Sequence, residues 1–207
     1  MIAIIDYGVG NLFSLTCSFK SIGADICVTS DPKVIAAADR IVLPGVGAFE
    51  DAARKLRESG LDEVIKREVS GRKALLGICL GMQMLFEKSY EYGEHEGLGL
   101  IKGDIVPFAG KIADNLQIPH IGWNSLKFDG NNPLYKYIKS GDFVYFVHSY
   151  FAPAEVESAA TLTEYGIEFA SSVACGNIFG CQFHPEKSGD VGLNILRAFC
   201  EIGGAVC

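Results

Sequence analysis

The sequence predicts an α/β protein: an open, mostly parallel sheet flanked by helices, with an additional antiparallel strand region. Three observations carry this. Over the first hundred residues short apolar runs alternate with segments of helical period, the pattern of a parallel sheet covered on both faces. Beyond about residue 100, strand-like runs follow one another between turn clusters. The chain of 207 residues is 49% hydrophobic and 21% charged, which suits a folded core and excludes a disordered chain. No repeat, low-complexity tract or linker divides it, so one domain over 1–207 is expected.

The elements follow in order. Ile2–Ile5 is a buried-strand run. Asn11 can cap a helix whose apolar positions Leu12, Leu15, Phe19 and Ile22 recur near every 3.6 residues, and Gly23 stops it. Residues 25–29 and 40–43 read as the second and third strands. Phe49, Ala52, Ala53 and Leu56 share one helical face ended by Gly60, and Leu61, Val64, Ile65 and Val69 share another. Residues 74–78 are a further buried strand, with a helix starting directly at Cys79 and running through 82–86. Strands are then expected at 101–108, 118–128, 143–151, 157–163, 169–173 and 177–183, with turn clusters such as 129–133 between them. Ser188 can cap a final helix carrying Val191, Leu193, Leu196 and Phe199.

Composition narrows the function. Lys and Arg number 18 and Asp and Glu 25, a net charge of −7. Such a chain is poorly suited to binding nucleic-acid backbones. No run reaches the ~20 apolar residues of a membrane span, and the N-terminus has no basic leader, so a cytoplasmic protein is expected. The seven cysteines follow no framework spacing and read as reduced thiols, mostly small core residues.

The sharpest local signal is Gly77–Ile78–Cys79–Leu80–Gly81, between an apolar strand and a helical run. It has the form of a nucleophile elbow with cysteine at its centre. A tight strand-to-helix turn exposes the central side chain, flanking glycines relieve crowding, and a helix N-terminus favours the thiolate. The N–H of Leu80 would be available to an oxyanion. The plain alternative is a buried cysteine at an ordinary strand–helix junction. A second signal is Gln182–Phe183–His184–Pro185–Glu186–Lys187. Pro185 biases His184 to an extended conformation, where residues two apart share a side, so Glu186 can orient the imidazole. Alone it reads as a surface turn; with Cys79 it fits a Cys–His–Glu triad. A third is Leu43–Pro44–Gly45–Val46–Gly47, whose glycines let a backbone N–H approach a ligand at the sheet edge.

Other patterns fail. Gly8 and Gly10 lack the third glycine of a dinucleotide fingerprint, position 13 being Phe, and no P-loop lysine is present. Cys175, Cys181 and His184 have no second cysteine pair to complete a zinc site, so neither metal nor cofactor is expected. His95 reads as a solvated loop residue and His120 as structural or interfacial.

The Cys79 and His184–Glu186 motifs resemble those of class I glutamine amidotransferases, whose fold is flavodoxin-like. Supporting segments are 6–11, 43–48, 97–100, 119–124 and 145–150, so the resemblance covers nearly the whole chain. It implies hydrolysis of glutamine to glutamate and ammonia through a thioester on Cys79, with His184 as proton carrier and Glu186 orienting it. It places the oxyanion at Leu80 and the Gly45–Val46 segment. Gln83, Glu91 and the backbone of His148, Ser149 and Tyr150 would bind glutamine, with Glu91 near its ammonium. The segments with Tyr7, Trp123 and His148 narrow the resemblance to a branch serving histidine biosynthesis. There the partner is a (β/α)8-barrel cyclase that takes the ammonia. Asn11, Trp123, Tyr145 and Lys187 are the expected interface residues. A related subunit feeding sugar amidation, a free-standing cysteine hydrolase and a noncatalytic interaction module are the alternatives.

Overall fold

A computed structural model describes residues 1–130 and 132–203. Along the chain lie β1 (Ile2–Ile5), α1 (Leu12–Ser21), β2 (Ile26–Thr29), α2 (Pro32–Ala37), β3 (Arg40–Gly45), α3 (Phe49–Glu58), α4 (Leu61–Ser70), β4 (Ala74–Cys79) and the short α5 (Leu80–Gln83). There follow β5 (Phe86–Ser89), β6 (His95–Glu96), β7 (Ile101–Pro107), β8 (His120–Ser125), β9 (Phe143–His148), β10 (Tyr150–Pro153), β11 (Ala159–Glu164), β12 (Glu168–Cys175), β13 (Ile178–Cys181) and α6 (Gly189–Glu201).

The main sheet runs β2-β1-β3-β4-β13-β12-β10-β7-β5-β6, with β11 paired to β12. From β2 to β13 every pairing is parallel. The pairings β13–β12, β12–β10, β10–β7 and β5–β6 are antiparallel, and only β5–β7 reverts to parallel. Because β1, β3 and β4 are buried on both faces, alternate residues feed two cores. Ile4, Val42 and Leu76 pack with Leu15, Phe19, Leu196 and Phe199 from α1 and α6. Ile5, Ile41 and Leu75 pack with Phe49, Leu56, Val64 and Ile65 from α3 and α4. Each fully buried side chain of this size contributes roughly 1.5–3 kcal/mol. The faces expected for α3 and α4 are buried, whereas Leu12 of α1, Ile22 just beyond it, and Val191 and Leu193 of α6 are only half-buried.

The structure differs from the sequence expectations at several elements. The run 143–151 is two strands: it bends at Ser149, so β9 pairs with β8 in a separate two-stranded sheet while β10 enters the main sheet. The strand expected over 118–128 is confined to His120–Ser125. The helix after Cys79 lasts only from Leu80 to Gln83. The Met84 and Leu85 carbonyls accept from Leu98, Leu100 and Ile101 N–H groups, which draws the chain into β5 instead of a further helical turn. Helix α2 has no periodic signal because only Ile35 is buried, although Asp31 caps it and Pro32 opens it. Ser188 sits at the start of α6 but makes no cap; its hydroxyl serves His184 instead. His95 lies half-buried in β6. All six described cysteines are free, but only Cys79 and Cys181 are buried, so most are not core residues; Cys207 and Asn131 of the expected turn lie outside the described residues.

Candidate active site

Strand β4 delivers Cys79 at the edge of the parallel sheet, level with Gly45 at the end of β3. Cys79 has φ 53° and ψ −111°. An L-residue adopts such a positive φ only under constraint, and the cost is of order 1–3 kcal/mol. Packing supplies the constraint. A Cβ on Gly81 would collide with the Leu43 carbonyl oxygen. A Cβ on Gly45 would lie 2.8 Å from Gly81 N and 3.0 Å from the Tyr7 hydroxyl oxygen. Glycine is thus required at both positions for close approach. Pro44 and Gly45 belong to β3, and the Pro44 carbonyl accepts a 2.8 Å hydrogen bond from buried Tyr7 Oη. Beyond β3, Val46 is 40% exposed and Gly47 has φ +95°. Helix α5 spans only Leu80–Gln83, so it offers no long macrodipole at Cys79.

His184 comes from the chain leaving β13. Its Nδ1 lies 2.8 Å from Glu186 Oε1, the pairing expected. The route differs from the extended alternation, since 185–187 form a 3-10 turn that folds Glu186 back toward the ring. His184 is clamped through its backbone: its N–H donates to Tyr145 O at 2.9 Å, and its carbonyl accepts from Ser188 Oγ at 2.6 Å. Ser188 Oγ in turn accepts from Tyr145 N–H at 3.0 Å. The imidazole is 2% exposed, and its Nε2 has no hydrogen-bond partner. Burial opposes the imidazolium, yet neighbouring Cys79 and Glu186 outweigh it and raise the His184 pKa above the ordinary range. In this resting geometry Cys79 Sγ faces Val147 O at 3.9 Å and Gln182 Nε2 at 3.7 Å.

Cys79, Leu80, Val46, Gln83, Glu91, His148, Ser149, Tyr150 and His184 line one cavity of about 270 Å³. Gly45 lies just behind it. Gln83 is only partly free for a ligand, because its Nε2 donates to Tyr150 O at 3.0 Å and to Gln182 Oε1 at 2.9 Å. Its Oε1 is the atom left for the cavity. Glu91 Oε2 accepts from Phe49 N–H at 2.6 Å, which fixes a carboxylate at the cavity wall.

The remaining expectations divide. Trp123 packs edge-on against Tyr145 with ring centroids 6.1 Å apart, and Lys187 Nζ lies 5.9 Å from the Tyr145 ring. Asn11 makes no hydrogen bond to these three; its side chain caps α1 through Ser14 N–H. Tyr7 and Gln182 were not singled out from sequence for any role. Both lie just beyond the end of a strand, Tyr7 after β1 and Gln182 after β13.

A family model described as glutamine amidotransferase class-I matches residues 3–202. The imidazole glycerol phosphate synthase subunit HisH of Caldanaerobacter subterraneus subsp. tengcongensis is 50% identical, covering 98% of this chain and 98% of its own. The HisH subunit of Sulfurimonas denitrificans is 50% identical, covering 96% and 97%. Among solved structures, one of a glutamine amidotransferase aligns with TM-score 0.75 at 18% identity, covering 97% and 98%; PurLQS from Thermotoga maritima aligns with TM-score 0.72 at 18% identity, covering 97% of each chain. These structural likenesses speak for the fold.

Proposed function

The chain belongs to the class-I glutamine amidotransferases, within the group of imidazole glycerol phosphate synthase HisH subunits, and on that premise we propose that it is the glutaminase subunit of such a synthase, acting through Cys79, His184 and Glu186. The observation that carries the reading is the unpartnered, buried Nε2 of His184, held by Glu186 on its other nitrogen, in the same cavity as the constrained Cys79.

Cys79 Sγ turns from Val147 O toward His184 Nε2, gives up its proton there and attacks the amide carbon of glutamine. The tetrahedral oxyanion is met by the N–H groups of Leu80 and of the Gly45–Val46 segment. His184 returns the proton to the departing nitrogen, so ammonia leaves and a glutamyl thioester remains on Cys79. Water, deprotonated by His184, then cleaves the thioester; glutamate departs and the thiol is restored. Glu186 stabilises the imidazolium in both halves of the cycle. Glu91 and the 148–150 backbone receive the amino-acid end of glutamine, with Gln83 Oε1 beside them. The machinery forms one amidotransferase domain and calls for no metal or cofactor.

Ammonia is mostly protonated in neutral water and lost to it, so a partner must cover the cavity. The partner is a (β/α)8-barrel cyclase that uses the nitrogen to form imidazole glycerol phosphate and an aminoimidazole carboxamide ribotide. Trp123, Tyr145 and Lys187, with Asn11, face it. Among the described residues no helix is long and apolar enough to cross a membrane; the complex works in the cytoplasm.

The test is glutamate release with and without the purified barrel subunit and its nucleotide substrate, followed by labelling with a diazoketone analogue of glutamine. Partner-stimulated release and modification of Cys79 alone are expected. Labelling of another cysteine, or release that never exceeds a heat-denatured control, would overturn the reading.

A further inference from the structure

We propose that His120 and the imidazole of His148 form a positioning pair that sets the glutamine-binding wall of the cavity. The inference rests on the glutaminase reading and assigns the pair a part in that same site.

The two residues face each other in the β8–β9 register. Their side chains point inward and are 3% and 6% exposed. His120 Nδ1 and His148 Nε2 are 3.0 Å apart, and His148 Nδ1 is 2.8 Å from Tyr150 O. A carbonyl only accepts, so His148 carries its proton on Nδ1 and presents a lone pair at Nε2. His120 must then donate from Nδ1. At the far end Asn124 Nδ2 lies 3.5 Å from His120 Nε2 and donates to Glu164 O at 2.9 Å. One tautomer is therefore fixed at each ring. The rings sit in an aromatic box: His120 stacks on Phe146 and Tyr165, with centroids 4.9 and 4.0 Å away, and His148 lies 5.2 Å from both Phe108 and Phe169.

A box of this shape would accept two phenylalanines without the desolvation cost of four ring nitrogens. The imidazoles add a directed hydrogen bond, and its destination is the cavity wall. Tyr150 O receives both His148 Nδ1–H and Gln83 Nε2–H, which occupies its two lone pairs. One residue earlier Ser149 O accepts from Phe108 N–H at 3.1 Å. Two successive carbonyls of the cavity-lining segment are thus tied back into the protein, which leaves 148–150 and Gln83 in one orientation toward the ligand.

The experiment compares wild type with the double variant His120→Phe/His148→Phe, each assembled with the partner subunit. Replacing both partners by apolar rings leaves neither nitrogen orphaned and can be close to neutral for folding. The KM for glutamine should rise about tenfold, the worth of one well-placed hydrogen bond, while kcat falls by less than that factor. An unchanged KM, or a fall in kcat alone, in a folded double variant overturns the inference and leaves the glutaminase reading standing. A wild-type complex that hydrolyses no glutamine overturns both. If the double variant does not fold, ring-nitrogen NMR of the wild type decides. The His148 Nδ1–H resonance should be present and should shift on titration with glutamate; a resonance indifferent to glutamate overturns the pair's role.

Discussion

The edge of the parallel sheet and the β8–β9 hairpin both wall the same cavity, and they are built in opposite ways. At the sheet edge, β3, β4 and α5 meet backbone to backbone, with no room for a Cβ at Gly45 or Gly81. The hairpin is a sheet of two strands with one wet face: Ile121, Trp123 and Phe143 are 58, 55 and 55% exposed. Its inner face, with Val144 and Phe146 fully buried, packs into the core, and directed bonds add to this, among them Tyr145 with His184 and Ser188, and Thr163 Oγ1 with Ser125 O. Cys79 is therefore held by close backbone packing, whereas the backbone of His184 is tied to an element with one exposed face.

The largest effect expected on the sheet-edge side is chemical. Cys79→Ala should lower glutamine hydrolysis by ~10⁴ or more with the fold retained, while ammonia-driven synthesis by the assembled partner continues. Appreciable hydrolysis by well-folded variant would remove the nucleophile from this edge. Next come the acid–base groups. His184→Ala should approach the Cys79 loss. Glu186→Gln should fall short of it, because an amide still accepts from Nδ1–H but no longer stabilises the imidazolium by charge. Steady-state kcat values should rank in that order, and a Glu186→Gln variant slower than His184→Ala would give the carboxylate another job. Gly81→Ala then tests the packing itself. It should destabilise by about 4 kcal/mol or more, read as a shift in the denaturant midpoint; a loss under about 1 kcal/mol would mean that the elbow yields.

Legibility in the sequence follows the same division. The parallel half was readable, α2 apart, because each buried strand is an apolar run and the longer helices have one apolar face, as with Leu15 and Phe19 or Val64 and Ile65. The His184–Glu186 contact was expected from an extended chain through Pro185, and the structure makes it through a 3-10 turn over Pro185–Lys187 instead. The β9–β10 break was not readable. Residues 143–151 are apolar or aromatic but for Ser149, and one serine does not say that the chain passes there from one sheet to another. Tyr7 and Gln182 were missed for a related reason: their partners are Pro44 and Cys79, far away in sequence, so only the folded chain brings them together. Helix α5 was overestimated because the apolar residues 84–86 suit a strand as well as a helix, and the carbonyl partners that decide between them come from 98–101.

Between the two regions lies Val46, the exposed residue where sheet-edge rigidity ends. One oxyanion donor is worth about 10²–10³ in kcat, or roughly 3–4 kcal/mol. Val46→Pro removes the N–H at that position. It should abolish most partner stimulation of kcat while leaving partner binding intact, checked by kinetics and by co-elution of the complex. Full stimulation in a properly assembled variant would shift the oxyanion donor to Leu80 and neighbouring backbone.

The smallest effect expected separates the two regions by pH. Burial pushes His120 down to about 4 and His148, in the same box, to about 3, against about 6.5 for an unfolded histidine. Each depressed group adds stability that is fully present above the unfolded value. That stability is lost as pH falls toward the folded value, because the unfolded chain binds the protons first. His184 has the opposite sign: its raised pKa adds stability below about 6.5 that is lost only as pH rises through its folded value. The hairpin pair therefore governs the acid side and the triad histidine the alkaline side. Between pH 7 and 5, wild type should lose on the order of 2 kcal/mol through each of the pair, less whatever their contact couples. Titrating carboxylates contribute alike to wild type and to His120→Phe/His148→Phe, so the difference between their denaturant midpoints isolates the pair. A double variant that loses as much stability as wild type over this range would mean that the folded imidazoles bind protons as readily as unfolded ones, contrary to the burial and the single tautomer that Tyr150 O imposes.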